Sequence, residues 1–411
     1  MAYPDADMDM VSKLLKDVHQ NVESFSSGNS KAREAAIEAC RSLASSLETP
    51  SEAVVRLTWV EPSHLAALRM AVDMRLFDHL VAEQSSPKSS AQLAAACSAE
   101  PWLVGRTMKL LAAMGSVREI DADCYVTNPF AQAMTQQLFK DSLALWASRH
   151  DVCIPMNLKT AEFFRQHGYT SPTNGLDTPA QHAYGVKGKT HMIDLLIQHG
   201  PEQGLASMMA TWMLDRPHWS DDNLGFYPVK ERLIEGAAGG DEAVFLVDVG
   251  GSKGHDLTKF LARHPFDSFP GRLVLQDRAE VIDSIPQGSL GPGIHSMAHD
   301  FNTPQPVQGE VYFLHSIIHD YPDDRSRLIL RQLAAAMKKD YSKLLIWDFV
   351  LPDKAAGSTL IALDWEMMSF YAAGERSESQ WKALLENAGL KVNGVWTYSH
   401  FDQAVIEAEL A

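Results

Sequence analysis

Residues 246–256 read Leu-Val-Asp-Val-Gly-Gly-Ser-Lys-Gly-His-Asp. Gly250 and Gly251 close an apolar run over 243–249, and Gly254 stands just before a helical pattern through Leu257, Phe260 and Leu261. That order predicts a strand, a tight turn and a helix. Glycines let a ligand approach the backbone where a Cβ would clash, and a helix N-terminus offers free N–H groups. The spacing is Gly-Gly-x-x-Gly, neither the dinucleotide fingerprint nor a phosphate loop with its Lys-Ser/Thr pair, and plain turns share it. A second strand over 272–276 ends in Asp277. In a parallel sheet this puts an acid at the neighbouring strand tip, where it can accept from both hydroxyls of a ribose. Asp300 and Phe301 follow a third strand-like stretch and suit the amino group and the face of an adenine. The ligand these residues predict is a nucleoside with little or no phosphate. S-adenosylmethionine fits that description better than a dinucleotide.

Two histidine pairs, His295/His299 and His315/His319, stand four apart. On a helix that is metal-ligand spacing. Here both pairs fall on strand and loop, with no cysteine or third acid arranged to complete a site, so no metal is expected.

The ordered series LVDVGGSKGHDL, LVLQD, MAHDF, VYFLHSIIHDYPDD, SKLLIWDFVLPD and GERSESQWKALLENAGL resembles the class I S-adenosylmethionine-dependent O-methyltransferases. Within them it is similar to the small-molecule enzymes of the plant caffeate type and their fungal secondary-metabolite relatives. The resemblance covers residues 51–411. It implies that His319, which matches the family's His-Asp-Trp-Pro/Ser-Asp motif, is the general base, with Tyr321 in place of the usual Trp. It implies that Glu375 lies beside that histidine and that Asp348 is a second acid. Gly250, Gly251, Asp277, Asp300, Phe301 and His315 become the S-adenosylmethionine-binding set. Two departures stand out: His315 occupies a position where relatives have Lys or Arg, and Ser252 replaces a glycine. The implied acceptor is a flat, apolar molecule of aromatic polyketide or alkaloid type, and the implied assembly is a homodimer. A second chemistry stays open, because some fungal proteins of this type catalyse dehydration or pericyclic rearrangement and fold does not fix function.

The chain has 411 residues, 45% of them hydrophobic. That is ample for more than one core. The net charge of −16 argues against nucleic acid and against an anionic membrane surface. No stretch approaches a membrane span, and Cys40, Cys97, Cys124 and Cys153 are scattered without paired spacing. They read as reduced thiols of a cytoplasmic protein. The expected architecture is α/β: a Rossmann-like, mostly parallel sheet over 238–411, a helical and winged-helix dimerisation domain over 1–135, and a helical linker and cavity segment over 136–237. Amphipathic helices are expected between Met8 and Leu47, a break at Thr49-Pro50-Ser51, and a helix from Glu61 to Leu80. A helix-turn-helix with a small hairpin is expected over 89–128. Its second helix offers only Arg106 and Lys109 as cations among Trp102, Leu103, Met108, Leu110 and Leu111, so its face is apolar and DNA is not its partner. Met156, Phe163, Phe164, Met208, Met209, Trp212, Met213, Trp365, Met367 and Met368 could line an apolar pocket, or could simply be core at helical spacing.

Overall fold

The structure is a computed structural model that describes residues 7–82, 86–147, 153–199, 204–214, 216–222, 226–237, 240, 243–354, 357–398 and 403–411. The chain forms two compact units. One comprises Met1–Glu162, Ala183–Gly185 and Thr190–Leu214, the other Phe163–His182, Val186–Lys189 and Asp215–Ala411. The stretch 136–237 is therefore divided between them.

Among the described residues, the first unit is helical apart from one hairpin and its turns. Asp7 caps the helix Met8–Ser26 by accepting from the N–H groups of Asp9 and Met10, and Ala32–Leu47 follows. The expected break falls at Glu48 and Thr49, both extended between two helices, and Thr49 also serves as a cap. It forms a capping box with Glu52 and starts the helix Pro50–Val55, because its hydroxyl satisfies a donor that the first turn leaves free. A wider turn over Arg56–Val60 leads into Glu61–Asp73. The helix expected from Glu61 to Leu80 is interrupted at Arg75, which takes a left-handed φ of 57° before Leu76–Val81 begins.

The winged-helix reading holds, with shifted edges. Ser89 caps Ser90–Cys97, in a capping box with Gln92. Glu100 caps Pro101–Ala113, with Pro101 in the first turn, where its missing N–H is harmless. The hairpin pairs Arg118–Asp121 with Cys124–Val126. Phe77, Leu93, Val104, Leu111 and Tyr125 fill its core. Arg106 lies over the Trp102 ring and Lys109 pairs with Glu119 at 3.0 Å, so both cations of the second helix are engaged within the unit. No helix among the described residues is long and apolar enough to cross a membrane.

The second unit is built on a seven-stranded sheet. Its strands are β1 (Val244–Val249), β2 (Arg272–Asp277), β3 (Ile294–Ala298), β4 (Val311–His315), β5 (Lys343–Asp348), β6 (Leu390–Thr397) and β7 (Ala404–Leu410). The spatial order is β6-β7-β5-β4-β1-β2-β3. Strands β1 to β5 pair in parallel, whereas β7 lies antiparallel to both β5 and β6. β6 was not legible in the sequence. It is an edge strand whose Lys391, Asn393 and Gly394 break the apolar alternation, and much of it remains half-exposed.

Period-two alternation sends Tyr312 and Leu314 of β4 into one core and Phe313 and His315 to the opposite face. The first core is completed by Ile329, Leu330 and Leu333 of α2 (Asp323–Ala336) and by Trp381, Leu384 and Leu385 of α4 (Glu378–Glu386). On the other face Trp219 stacks on Phe313 at 4.9 Å and on Phe260 at 5.6 Å. Phe260 belongs to α1 (His255–Arg263). A further helix, α3 (Ser358–Tyr371), follows β5. β1 has β2 on one side and β4 on the other. That reversal of strand order opens a crevice at the carboxyl ends, where open α/β sheets hold their ligands.

Candidate active site

The glycine turn closes β1 at this crevice. The N–H groups of Gly250 and Gly251 donate to the Gln276 carbonyl at 2.8 and 3.1 Å, which fastens the turn to the end of β2. Gly250 takes a φ of +78°, and a Cβ there would sit 2.7 Å from Ile317 Cδ1. A Cβ on Gly251 would overlap the Asp248 carboxylate, 2.3 Å from Oδ2. Ser252, where a glycine is usual in the resembled family, adopts a left-handed φ of 52°. That costs about 1–2 kcal/mol for a residue with a Cβ. Asp277 meets part of this cost: its Oδ2 accepts from the Ser252 N–H at 2.8 Å, and its Oδ1 accepts from the Arg278 N–H at 2.7 Å.

Asp300 and Phe301 reach the same end of the sheet because the His299 N–H donates to the Asp277 carbonyl at 2.8 Å. The Asp300 side chain accepts from the backbone and side chain of Asn302. The backbone bond above all holds its carboxyl below the usual range. Phe301 meets Tyr321 edge-to-face at 5.9 Å.

Beneath the turn lies Asp248, buried, with neither carboxylate oxygen in a hydrogen bond. Burial pushes its pKa well above the carboxylate range, and the charges of Asp256 and Asp277 push in the same direction. An orphaned buried acid is costly unless a donor or a cation meets it. A ligand bringing positive charge and hydroxyl donors fits this turn, and S-adenosylmethionine carries a sulfonium, an ammonium and two ribose hydroxyls. Asp248, Gly250, Gly251, Asp277, Asp300 and Phe301 are the residues that would hold it.

The second cluster forms at the end of β4, where a 3-10 turn over Ile318–Asp320 precedes α2. His319 is buried there, and its Nδ1 lies 2.8 Å from Glu375 Oε1. Asp348, the last residue of β5, accepts from the His319 N–H at 3.3 Å, and its Oδ1 is 3.6 Å from Nδ1. The Glu375 N–H in turn donates to Asp364 on α3 at 2.8 Å. On the other edge of the ring, Nε2 is 3.6 Å from Asp320 Oδ1. Burial works against charge on His319, but Asp348, Asp320 and Glu375 outweigh it, so its pKa lies well above the usual histidine value. Burial pushes the Glu375 carboxyl up to about 7, against the pull of His319. One atom each from His319, Asp348 and Glu375 also lie within 4.8 Å of one another, a grouping a cation could use. The 2.8 Å bond nevertheless already commits Nδ1 to Glu375.

The matches with known proteins follow the same division. The O-methyltransferase domain family matches residues 239–391, and the O-methyltransferase dimerisation domain family matches 64–137. The chain is 32% identical to the O-methyltransferase mpaG of Penicillium brevicompactum over 406 residues, which is 97% of this chain and 98% of that protein. The chain belongs to the O-methyltransferase family. The solved structure of LepI in complex with SAM superposes with a TM-score of 0.82 at 26% identity, covering 98% of this chain and 100% of that one. A pericyclic reaction enzyme superposes with a TM-score of 0.81 at 27% identity, with the same coverage. The O-methyltransferase is S-adenosylmethionine-dependent and of the fungal secondary-metabolite type.

In this O-methyltransferase the residues singled out in the sequence fall into two neighbouring groups. Gly250, Gly251, Asp277, Asp300 and Phe301 surround the glycine turn; His319, Glu375 and Asp348 form the second cluster. Ile317 lies between them, against Gly250 and two residues before His319. His315, the last residue of β4, is held by other partners. Its Nδ1 is 2.7 Å from Asp256 Oδ2, its Nε2 is 3.1 Å from Gln403 Oε1, and its ring stacks on Trp347 at 4.0 Å. His218 meets Asp256 from the other side at 3.4 Å. His315 thus ties the end of β4 to the first turn of α1. Met156, Phe163 and Met367 are buried, whereas Met209 and Trp365 are exposed. Sequence reasoning missed Asp248 and Asp256. The available signal was an acid inside an apolar strand run and a second acid at the entry of the next helix.

Proposed function

We propose that this O-methyltransferase methylates a hydroxyl of an aromatic polyketide or alkaloid-type acceptor, with His319 as general base, and that it works as a homodimer. The observation that carries the catalytic reading is the 2.8 Å bond between His319 Nδ1 and Glu375 Oε1. A carboxylate accepting from Nδ1–H leaves the lone pair on Nε2, the tautomer a base needs. Bound S-adenosylmethionine supplies a methyl carbon made electrophilic by the sulfonium. His319 Nε2 takes the hydroxyl proton, which leaves the acceptor oxygen as the nucleophile; transfer of the methyl would break its bond to sulfur and release S-adenosylhomocysteine. A phenol loses its proton near pH 10, and a histidine with a raised pKa narrows that gap. Glu375 and Asp348 stabilise the imidazolium that results. Asp248, Asp277, Asp300 and the glycine turn orient the methyl donor, and such positioning supplies much of the rate.

The dimer reading is supported by the matched dimerisation domain and by large apolar side chains left exposed in the first unit, among them Leu47, Val54, Leu57 and Trp59. The catalytic reading is tested with His319→Ala. Turnover should fall by about 10²–10⁴-fold, the share of a positioned base, while cofactor affinity measured by calorimetry stays the same. Unchanged turnover would reject His319 as the base.

A further inference from the structure

Arg376 follows Glu375 directly, and its guanidinium is buried. Nη1 donates to the Ile318 carbonyl at 3.2 Å and Nη2 to the Tyr321 carbonyl at 2.9 Å. Those two carbonyls bracket His319 and Asp320. Nε and Nη2 also donate to Asp323 Oδ1 at 3.0 and 2.8 Å. The Asp323 side chain is 70% exposed, so that ion pair contributes little by itself. Ser326 Oγ backs the same two carbonyls at 3.3 and 3.0 Å. The guanidinium lies over the Trp381 ring at 5.4 Å. The indole N–H donates to the Phe349 carbonyl at 2.9 Å, next to Asp348. Arg376–Ser377 is a two-residue strand paired with Val350–Leu351. The Arg376 side chain therefore joins the turn bearing His319 to the short strand that follows Glu375, and Trp381 beneath it reaches the backbone next to Asp348. Burying a guanidinium is costly, and an apolar side chain would fill the space more cheaply. What the guanidinium adds is a rigid fork of donors that fixes carbonyl positions.

We infer that Arg376 is a positioning residue for the reaction. It holds the His319 turn so that Nδ1 and Glu375 Oε1 meet at hydrogen-bond distance; the inference rests on the methyl-transfer reading above. The charged groups around His319 are Asp320 on its own turn, Asp348 on β5, Glu375 just before the short strand, Arg376 on it, and Asp364 of α3 through the Glu375 N–H. Arg216 lies over the Phe349 ring at 5.5 Å.

The test uses Arg376→Lys and Arg376→Gln in the full-length protein. Three quantities are read: thermal melting, kcat and KM, and the titration of His319 followed by NMR of ring-labelled histidine without acceptor. Both variants should lose about 10- to 100-fold in kcat, as a shift of about 1 Å in a reacting group does, with KM and S-adenosylhomocysteine affinity little changed. Both should also move the His319 titration down towards the ordinary value of about 6.5, because Glu375 drifts from Nδ1. Loss of a nearby positive charge alone would move it up. An upward shift in the Gln variant with none in the Lys variant would overturn the inference in favour of a purely electrostatic role. A lower melting temperature with kcat and titration unchanged would overturn it in favour of simple packing. Should neither Arg376 variant fold, Ser326→Ala weakens the same bracket and should lower the titration by less; no shift there counts against the inference. The titration needs no turnover, so it also separates the two claims. If the wild-type protein transfers no methyl group but the Arg376 variants still show the downward shift relative to it, the reaction is rejected and the positioning role is kept.

Discussion

Replacing Glu375 by Gln removes one charge and keeps the shape. The carboxylate is 2.8 Å from His319 Nδ1 and both groups are buried. At an effective dielectric of about 20, two unit charges at that separation attract by about 332/(20 × 2.8), or roughly 6 kcal/mol, an upper limit. Asp348 remains 3.6 Å away and retains part of the field. A neighbouring carboxylate generally shifts a partner by about 1–3 pKa units, which is about 1.4–4 kcal/mol. His319 is the raised group, so its contribution to folding stability is full below the unfolded value of about 6.5 and is lost as pH rises through the folded value. Activity has the opposite dependence, because the base must be neutral. The wild-type kcat profile should therefore rise with pH above 6.5, and in Glu375→Gln the rise should move down by about 1–3 units. Its plateau should also fall, by about 10²-fold, since a glutamine can donate to Nδ1 and place the proton on Nε2 instead. Steady-state rates from about pH 6 to pH 10, with S-adenosylhomocysteine release as the signal, read both effects. A profile that superposes on the wild type in height and midpoint would refute the assignment of Glu375.

Asp277→Ala should weaken cofactor binding by about 1–3 kcal/mol through a lost charge-assisted hydrogen bond, read by calorimetry; wild-type affinity in the variant would remove Asp277 from the pocket. Gly251→Ala should cost at least tenfold in cofactor affinity, about 1.4 kcal/mol, because its Cβ would meet Asp248 and Leu275 at 2.3 and 2.6 Å; unchanged affinity in a titration would show that the turn yields freely. Light scattering should give the mass of a dimer for the full chain, and deletion of residues 1–47 should give monomer or insoluble protein. A stable full-length monomer would refute the homodimer.

The parallel part of the sheet was legible because β1, β2, β4 and β5 are buried on both faces and read as apolar runs between turn formers. The glycine turn and Asp277 were legible because a tight approach demands glycine and a strand-end acid stands out. β6 was hidden by its half-exposed edge, and the break at Arg75 by a left-handed turn that leaves no composition signal. His319 was found through its motif, and Glu375 through a short one. The pairing of Asp256 with His315 and the bonds of Arg376 to the His319 turn and Ser326 were not legible, because they span 59 and 50–58 residues of chain. No local pattern encodes contacts at that range.

The most direct test of the account is the fate of the methyl group. Wild-type protein and His319→Ala are incubated with trideuteromethyl-labelled S-adenosylmethionine and a set of aromatic hydroxyl acceptors, and products are followed by mass spectrometry. The account predicts a product that carries the labelled methyl, with one S-adenosylhomocysteine released for each product formed, and a loss of both in the variant. Acceptor consumed to a product of unchanged mass, or one lacking water, with no label and no S-adenosylhomocysteine, would contradict it.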